Sequence, residues 1–386
     1  MKILHAVEFY APSVGGMQEV VRQLSERMAA HGHDVTVVTT NVPERSFSVL
    51  NGVKVVGFNI KGNLANGLNG EVDRYRAYLL ENQFDIISFF AAQQWTFDAA
   101  IPLLPEIKAK KVFVPTGFSG LFNPVYQNYF KSMPEWMKEM DVSVFLSDDY
   151  RDIDFARKHQ TGKWVVIPNG ADEREFDSPA IRNVRDKFKI GNDEFLILHV
   201  GSYTGMKGHK EAMEIFYHSK ARNTVLFLAG SHLSKLRKNL FKILNPKTFL
   251  NYLFNKKKRV IIADLDRADI VSLFMDADLF LFPSNVECSP LVVFESCAAK
   301  TPFLATDCGN VKEIIEWTHA GMVLPTNFDA KGYSFADILL SAEMLDKLIK
   351  DGEKLVQMSE KGYKAWKSRF TWEKITEEYE KLFREL

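Results

Sequence analysis

Two carboxylates, Glu287 and Glu295, stand in the stretch FPSNVECSPLVVFES from Phe282 to Ser296, and their neighbours say what they are placed to do. Leu279 to Pro283 read as a buried apolar strand ending at a proline, and Leu291 to Ala299 read as a helix. One carboxylate therefore lies in the connecting loop and the other inside the helix. Backbone N–H groups from Cys288 to Val292, around the helix start, suit a phosphate. Carboxylates do not hold phosphate, but they accept hydrogen bonds from sugar hydroxyls. The two kinds of group together fit a nucleotide sugar, a diphosphate with a polyol at each end. The plainer reading of the same pair is a solvated loop carboxylate and a second one on a helix face.

Elements that can carry such a loop recur along the whole chain. Strand Ile3 to Val7 leads through Gly15 and Gly16 into a helix from Met17 to Ala30, and a His31–Gly32 turn leads on to strand Asp34 to Thr39, a βαβ unit. Further strands are expected at Val53 to Phe58, Ile86 to Phe90, Lys111 to Pro115, Val142 to Leu146 and Trp164 to Ile167. A second α/β series comprises Leu196 to Val200, Val225 to Ala229, Val260 to Ile262, Leu279 to Phe282 and Phe303 to Ala305. With 386 residues the chain is expected to form two doubly wound domains, at 1–168 and 193–368. The charged stretch 169–192, opening on Asn169–Gly170, reads as the linker. Open α/β sheets bind ligands beyond the carboxyl ends of their strands, so two such domains facing each other would enclose a cleft.

Composition narrows the partners. Forty-nine basic and 49 acidic side chains give a formal charge of zero, so no global field recruits nucleic acid. The three cysteines, Cys288, Cys297 and Cys308, cluster in one stretch at spacings that match no standard zinc pattern, which fits small packing residues in a reducing compartment. No apolar run of about 18 or more residues occurs, so a cytoplasmic protein is expected, or one peripheral at the inner face of the membrane.

Five ordered segments resemble the retaining GT-B glycosyltransferases of family 4. They are GGMQEVVRQLSERMAAHGHDVTVVTT (Gly15 to Thr40), VVIPNGADEREF (Val165 to Phe176), ILHVGSYTGMKGHKEAMEIF (Ile197 to Phe216), the Glu287 to Glu295 stretch, and TPFLATDCGNVKEIIE (Thr301 to Glu316). The resemblance implies two Rossmann-like domains across a cleft, the second gripping a UDP- or GDP-linked sugar and the first receiving a glycan or lipid-linked acceptor. It also implies a closing segment, 369–386, that returns to the first domain, and it requires no metal or other cofactor.

By the same resemblance Glu295 serves the ribose hydroxyls, Glu287 the transferred sugar, and Lys207 in GSYTGMKG the diphosphate. Gly201, Ser202, Ser289, Pro290, Leu291, Val292 and Gly16 complete the donor side, and Gly15, Thr116 and Gly117 fall on the acceptor side. Gln94 and Trp95 join that side by their own chemistry, an amide and an indole after a strand that suit a sugar, with core packing as the other reading of the aromatic. Two positions depart from the family. Ser202 stands where an arginine is usual, leaving Lys210 and a helix dipole as other sources of positive charge. Thr116 stands where many members carry histidine, and a threonine hydroxyl is no general base near neutral pH.

The remaining chemistry-bearing residues have plainer roles. His5 and His199 fall in strands and read as packed side chains, and His209 reads as a helix-start residue. The pairs Asp152/Asp154, Asp264/Asp266 and Asp276/Asp278 occur in unrelated contexts and do not form a metal motif. From Leu233 to Arg259 the chain has many basic residues, no acidic one, and interleaved leucines and aromatics. That segment either lies on an anionic membrane or packs on its own domain with its basic face in solvent. A nucleotide-sugar epimerase and a silent nucleotide-sugar-binding protein are the alternative functions on the same fold.

Overall fold

The computed structural model describes residues 1–178, 182–255 and 258–386. They form two compact units, Met1–Asn169 with Trp372–Leu386, and Gly170–Thr371.

In the first unit, buried strands such as Ile86–Phe90, and Lys2–Ala6 beyond its exposed first residue, lie inside a sheet covered on both faces, which explains their continuous rather than alternating burial. The spatial order is Trp164–Val166, Val142–Phe145, Lys110–Val114, Ile86–Phe90, Lys2–Ala6, Asp34–Thr40, Val53–Phe58 and the short edge strand Val49–Leu50. All pairs are parallel except the one at that edge. From Lys2–Ala6 the chain first winds outward through Asp34–Thr40, then returns to place Ile86–Phe90 on the other side. The switch point is therefore between Lys2–Ala6 and Ile86–Phe90, where the loops diverge and leave a crevice.

The second unit repeats the plan with a parallel sheet ordered Lys258–Asp264, Thr224–Gly230, Phe195–Val200, Leu279–Phe282, Phe303–Ala305 and Gly321–Val323. Its switch point lies between Phe195–Val200 and Leu279–Phe282, which pair through Ile197 with Leu279 and Leu198 with Phe280. Both units are thus Rossmann-like. The strands expected from the sequence are present, with bounds differing by a residue or two.

The stretch 169–192, expected as the linker, begins where the chain passes from one unit to the other, at Asn169 and Gly170. Its described part carries short helices at Glu173–Phe176 and Val184–Phe188, and Ala171, Phe176, Val184 and Ile190 are buried in the second unit's core. The helices are short and their apolar residues few, so the charges dominate a sequence reading. At the other end, helix Trp372–Glu385 belongs to the first unit and packs on helix Gly16–Ala30. It buries Trp372, Ile375, Tyr379, Leu382 and Phe383. Among the described residues no helix is long and apolar enough to cross a membrane.

Candidate active site

At the second unit's switch point the loop after strand Phe195–Val200 meets the loop after Leu279–Phe282. Gly208 makes the meeting possible: it has φ 73°, and a Cβ there would stand 2.0 Å from the Pro283 carbonyl oxygen. The Asn285 N–H donates to the Met206 carbonyl at 2.9 Å, tying the same loops together. Lys207 is thereby delivered to Glu287, with its Nζ 2.7 Å from Oε1. The Ser284 hydroxyl donates to the same carboxylate oxygen at 2.7 Å. On the far side of Glu287 stands Gly309, φ 57°, where a Cβ would lie 3.0 Å from the Glu287 Cβ and 2.3 Å from the Cys288 carbonyl. The Asn310 N–H donates to that carbonyl at 2.8 Å. Glu287 is thus held by loops from three neighbouring strands.

The backbone around this pair is arranged for an anion. Pro290 caps helix Leu291–Ala298 but has no N–H to offer, so the amides of Leu291 and Val292 are the helix-start donors and Pro290 is a shaping residue. Ser289 and Pro290 are buried behind them. Gly201, at the end of its strand, packs against the Lys207 side chain. Ser202 is exposed and its hydroxyl shares a 2.7 Å hydrogen bond with the Ser231 hydroxyl. Lys210 is exposed in the first turn of helix His209–His218.

Glu295 is buried, and its Oε1 accepts from Arg267 Nη2 at 2.7 Å. Arg267 also forms a two-pronged contact with Glu175, at 3.1 and 2.6 Å. Burial works against the guanidinium charge, but the two carboxylates outweigh it and hold its pKa above the usual value. Oε2 of Glu295 has no hydrogen-bond partner among the described residues. Nothing in the local sequence marks Arg267, because its partners come from distant segments.

The histidines nearby are structural. His199 Nδ1–H donates to the Leu281 carbonyl at 2.9 Å, and burial lowers its pKa well below the ordinary value. His209 packs on it, contacts the Gly201 carbonyl through Nε2 at 3.2 Å, and is brought down by burial to about 4. His5, in the first unit, is likewise buried against Ser25 and lowered to about 3.

The first unit's switch point joins Glu8 to Gln94, whose Oε1 accepts from the Glu8 N–H at 3.2 Å. The half-buried Glu8 carboxyl is raised above its usual pKa by desolvation and by Asp98. Glu8 is a further polar group at this crevice that no spacing in the sequence singled out. Gly15 precedes helix Gly16–Ala30 here. A Cβ at Gly16 would meet no atom within 4 Å.

The neighbouring loops hold residues in the left-handed region: Ala91, Gln93, Thr116 and Phe118 have φ of 65°, 64°, 59° and 45°. Thr116 is the most strained of these by type, since it is β-branched. Buried polar groups hold the loops in place. Asp152 accepts from the Gly117 N–H at 2.8 Å, Tyr129 accepts from the Gln93 N–H at 2.8 Å, and Tyr129 donates to Asp98 at 2.7 Å. Trp95 departs from the expectation of an acceptor contact. It is fully buried among Phe58 and Tyr75, with its indole N–H donating to Thr40 at 2.8 Å. An aromatic side chain just past a strand end has turned into the core, leaving Gly15, Gln94 and Thr116 partly exposed while Gly117 is buried against Asp152.

The model of Glycosyltransferase Family 4 matches residues 14–175, and that of Glycosyl transferases group 1 matches residues 180–365. An uncharacterized glycosyltransferase of Methanocaldococcus jannaschii is 23% identical over 98% of this chain and 96% of its own length. The lipopolysaccharide glucosyltransferase WaaG of Escherichia coli is 24% identical over 81% of this chain and 83% of its own. Among solved structures, Anabaena HepE in complex with UDP-glucose superposes with a TM-score of 0.74 at 15% identity, covering 100% of both chains.

Proposed function

The chain belongs to the glycosyl transferases group 1 of glycosyltransferase family 4, with the GT-B fold, and from that premise we propose a retaining transferase acting on a nucleoside-diphosphate sugar. The acceptor is a hydroxyl of a glycan or lipid-linked saccharide, in surface polysaccharide or glycolipid assembly. A UDP-linked donor is the first choice, since the HepE neighbour was solved with UDP-glucose; GDP is the second. Among the described residues none of the three cysteines forms a disulfide, which supports our reading of a reducing, cytoplasmic setting.

The observation that carries this reading is the Lys207–Glu287 pair at a topological switch point, beside the start of helix Leu291–Ala298. In the proposed reaction the anomeric carbon–phosphate oxygen bond breaks, and its electron pair stays on the departing diphosphate. The acceptor oxygen bonds to the anomeric carbon on the same face, and its proton passes to the departing phosphate oxygen. Lys207 exchanges its Glu287 contact for the diphosphate, and the amides of Leu291 and Val292 share the load. Glu287, released from Lys207, accepts hydrogen bonds from the sugar, and the Glu295 carboxylate, whose unpartnered Oε2 is buried in this structure, turns to accept from the ribose diol. Gly16, with open space where a Cβ would be, leaves its helix start open to a phosphate. Gly15, Gln94, Thr116 and Gly117 serve the acceptor. No step requires a metal.

The test is incubation with labelled UDP- and GDP-sugars, with and without a panel of glycan and lipid-linked acceptors, reading nucleoside diphosphate release and the anomeric configuration of any product. Acceptor-dependent diphosphate release with retention is expected. Isomerised sugar with the diphosphate still attached would identify an epimerase, and binding without either product a silent binder.

A further inference from the structure

The basic segment after Ser231 is both a packed helix pair and an exposed surface, and the two faces separate residue by residue. Helices Leu233–Ile243 and Pro246–Phe254 bury Leu233, Leu236, Leu240, Leu244 and Thr248 against the second unit. Buried Glu214 braces the junction, accepting from the Asn245 N–H at 3.0 Å and the Thr248 hydroxyl at 2.5 Å. So the inward side is accounted for by folding. The outward side carries exposed Lys235, Lys238 and Lys247 together with Leu250, Leu253 and Phe254, which are 54%, 51% and 73% exposed. On the second helix Lys247, Leu250 and Phe254 recur at the spacing of one helix face.

A solvated lysine face is ordinary. Large apolar side chains grouped beside it on one short helix are not explained by the fold, which already buries Thr248 and half-buries Phe249 and Tyr252 on the opposite side. The chemistry selects the occupant. It must be anionic where the lysines lie and apolar where Leu250 and Phe254 point. A second copy of this face would set lysines against lysines, because residues 233–259 contain no acidic side chain. With the whole chain at zero formal charge, the attraction is local to this face.

We propose that the outward face of helices Leu233–Ile243 and Pro246–Phe254 docks the protein on an anionic lipid surface, with Leu250, Leu253 and Phe254 entering the acyl boundary and the lysines meeting headgroups. Not every basic residue of the segment takes part. Lys258 points inward, its Nζ donating to the Phe216 carbonyl at 2.6 Å and to that of Ser219 at 2.5 Å, and burial lowers it to about 8. Arg259 is paired with Glu194 at 2.6 Å. Lys256 and Lys257 lie outside the described residues.

The full-length protein is sedimented with vesicles of phosphatidylcholine alone and of phosphatidylcholine mixed with phosphatidylglycerol. Binding is expected only to the mixed vesicles, falling with salt. Replacing Lys235, Lys238 and Lys247 with glutamine should lower the partition coefficient by roughly fivefold per charge. Leu250→Gln with Phe254→Gln should lower it more than tenfold at unchanged charge, each variant being checked for a parental melting curve. The proposal is overturned by no vesicle binding, by equal binding to both vesicle types, or by an apolar double variant that binds like the parent, which would make the face a site for soluble polyanions. It is equally overturned if sedimentation velocity shows self-association that the apolar double variant abolishes.

Discussion

Lys207 and Glu287 are eighty residues apart in sequence and 2.7 Å apart in space. Each sits just past the end of one of two adjacent parallel strands, and the contact rests on a glycine at 208 that lets one loop touch the backbone of the other. The carboxylate keeps the ammonium from swinging into solvent, beside the helix start where we propose that the diphosphate binds.

Since Ser202 supplies no cation, Lys207→Ala should lower kcat by a factor of about a hundred to a thousand, some 3–4 kcal/mol of leaving-group stabilisation, with a smaller change in donor KM. Placing arginine at Ser202 in that background should recover part of the loss. Steady-state kinetics with an identified donor and acceptor provide the check. A variant that keeps parental kcat would move the diphosphate site elsewhere.

Glu295 and Arg267 should respond differently to removal. Glu295→Ala takes away the ribose acceptor we propose and should weaken nucleotide binding by roughly 1.5–3 kcal/mol in calorimetry, while Arg267 keeps Glu175. Arg267→Ala instead leaves a buried carboxylate without its donor, so thermal stability should fall by about 1–3 kcal/mol. Unchanged nucleotide affinity in the first variant would take Glu295 out of the donor site.

The last helix should hold less firmly as pH rises. His31 Nδ1 and Nε2 face Glu380 and Glu373 at 2.7 and 2.9 Å, an arrangement that needs both ring nitrogens protonated. The Glu380 hydrogen bond chiefly raises its pKa above the ordinary 6.5. A raised value in the folded state means the contribution is fully present below 6.5 and disappears as pH climbs through the higher, folded value. His33 works in the opposite sense, because burial lowers its pKa. Protection factors in Trp372–Glu385, corrected for base-catalysed intrinsic exchange, should therefore fall between mildly acidic and mildly alkaline pH, and His31→Gln should flatten that dependence. An identical profile in the variant would assign it to other groups.

Thr116 holds a left-handed backbone that asparagine adopts more readily. Thr116→Asn should raise stability by up to about 1 kcal/mol in thermal unfolding and should alter acceptor KM without altering donor affinity. A change in donor affinity alone would detach this loop from the acceptor.

Much of this architecture was legible along the chain. Continuous apolar runs such as IISFF and LFLF announce strands buried on both faces, and Gly15, Gly16 and the helix start at Leu291 are local signals that a short window contains. Lys207, Glu287 and Glu295 were each visible as candidates from their own loops and from the order of the motifs. What only the tertiary structure decided is which distant groups share a site. Arg267 on Glu295, Glu8 beside Gln94, and Lys258 turned onto two carbonyls depend on how separate strands are ordered in a sheet, which no local periodicity encodes. Burial settled the rest in the same way. Trp95 and the 169–192 stretch carry ambiguous local patterns, and packing drew both the indole and Phe176, Val184 and Ile190 inward, because apolar area removed from water outweighs the preferences of a few neighbouring charges.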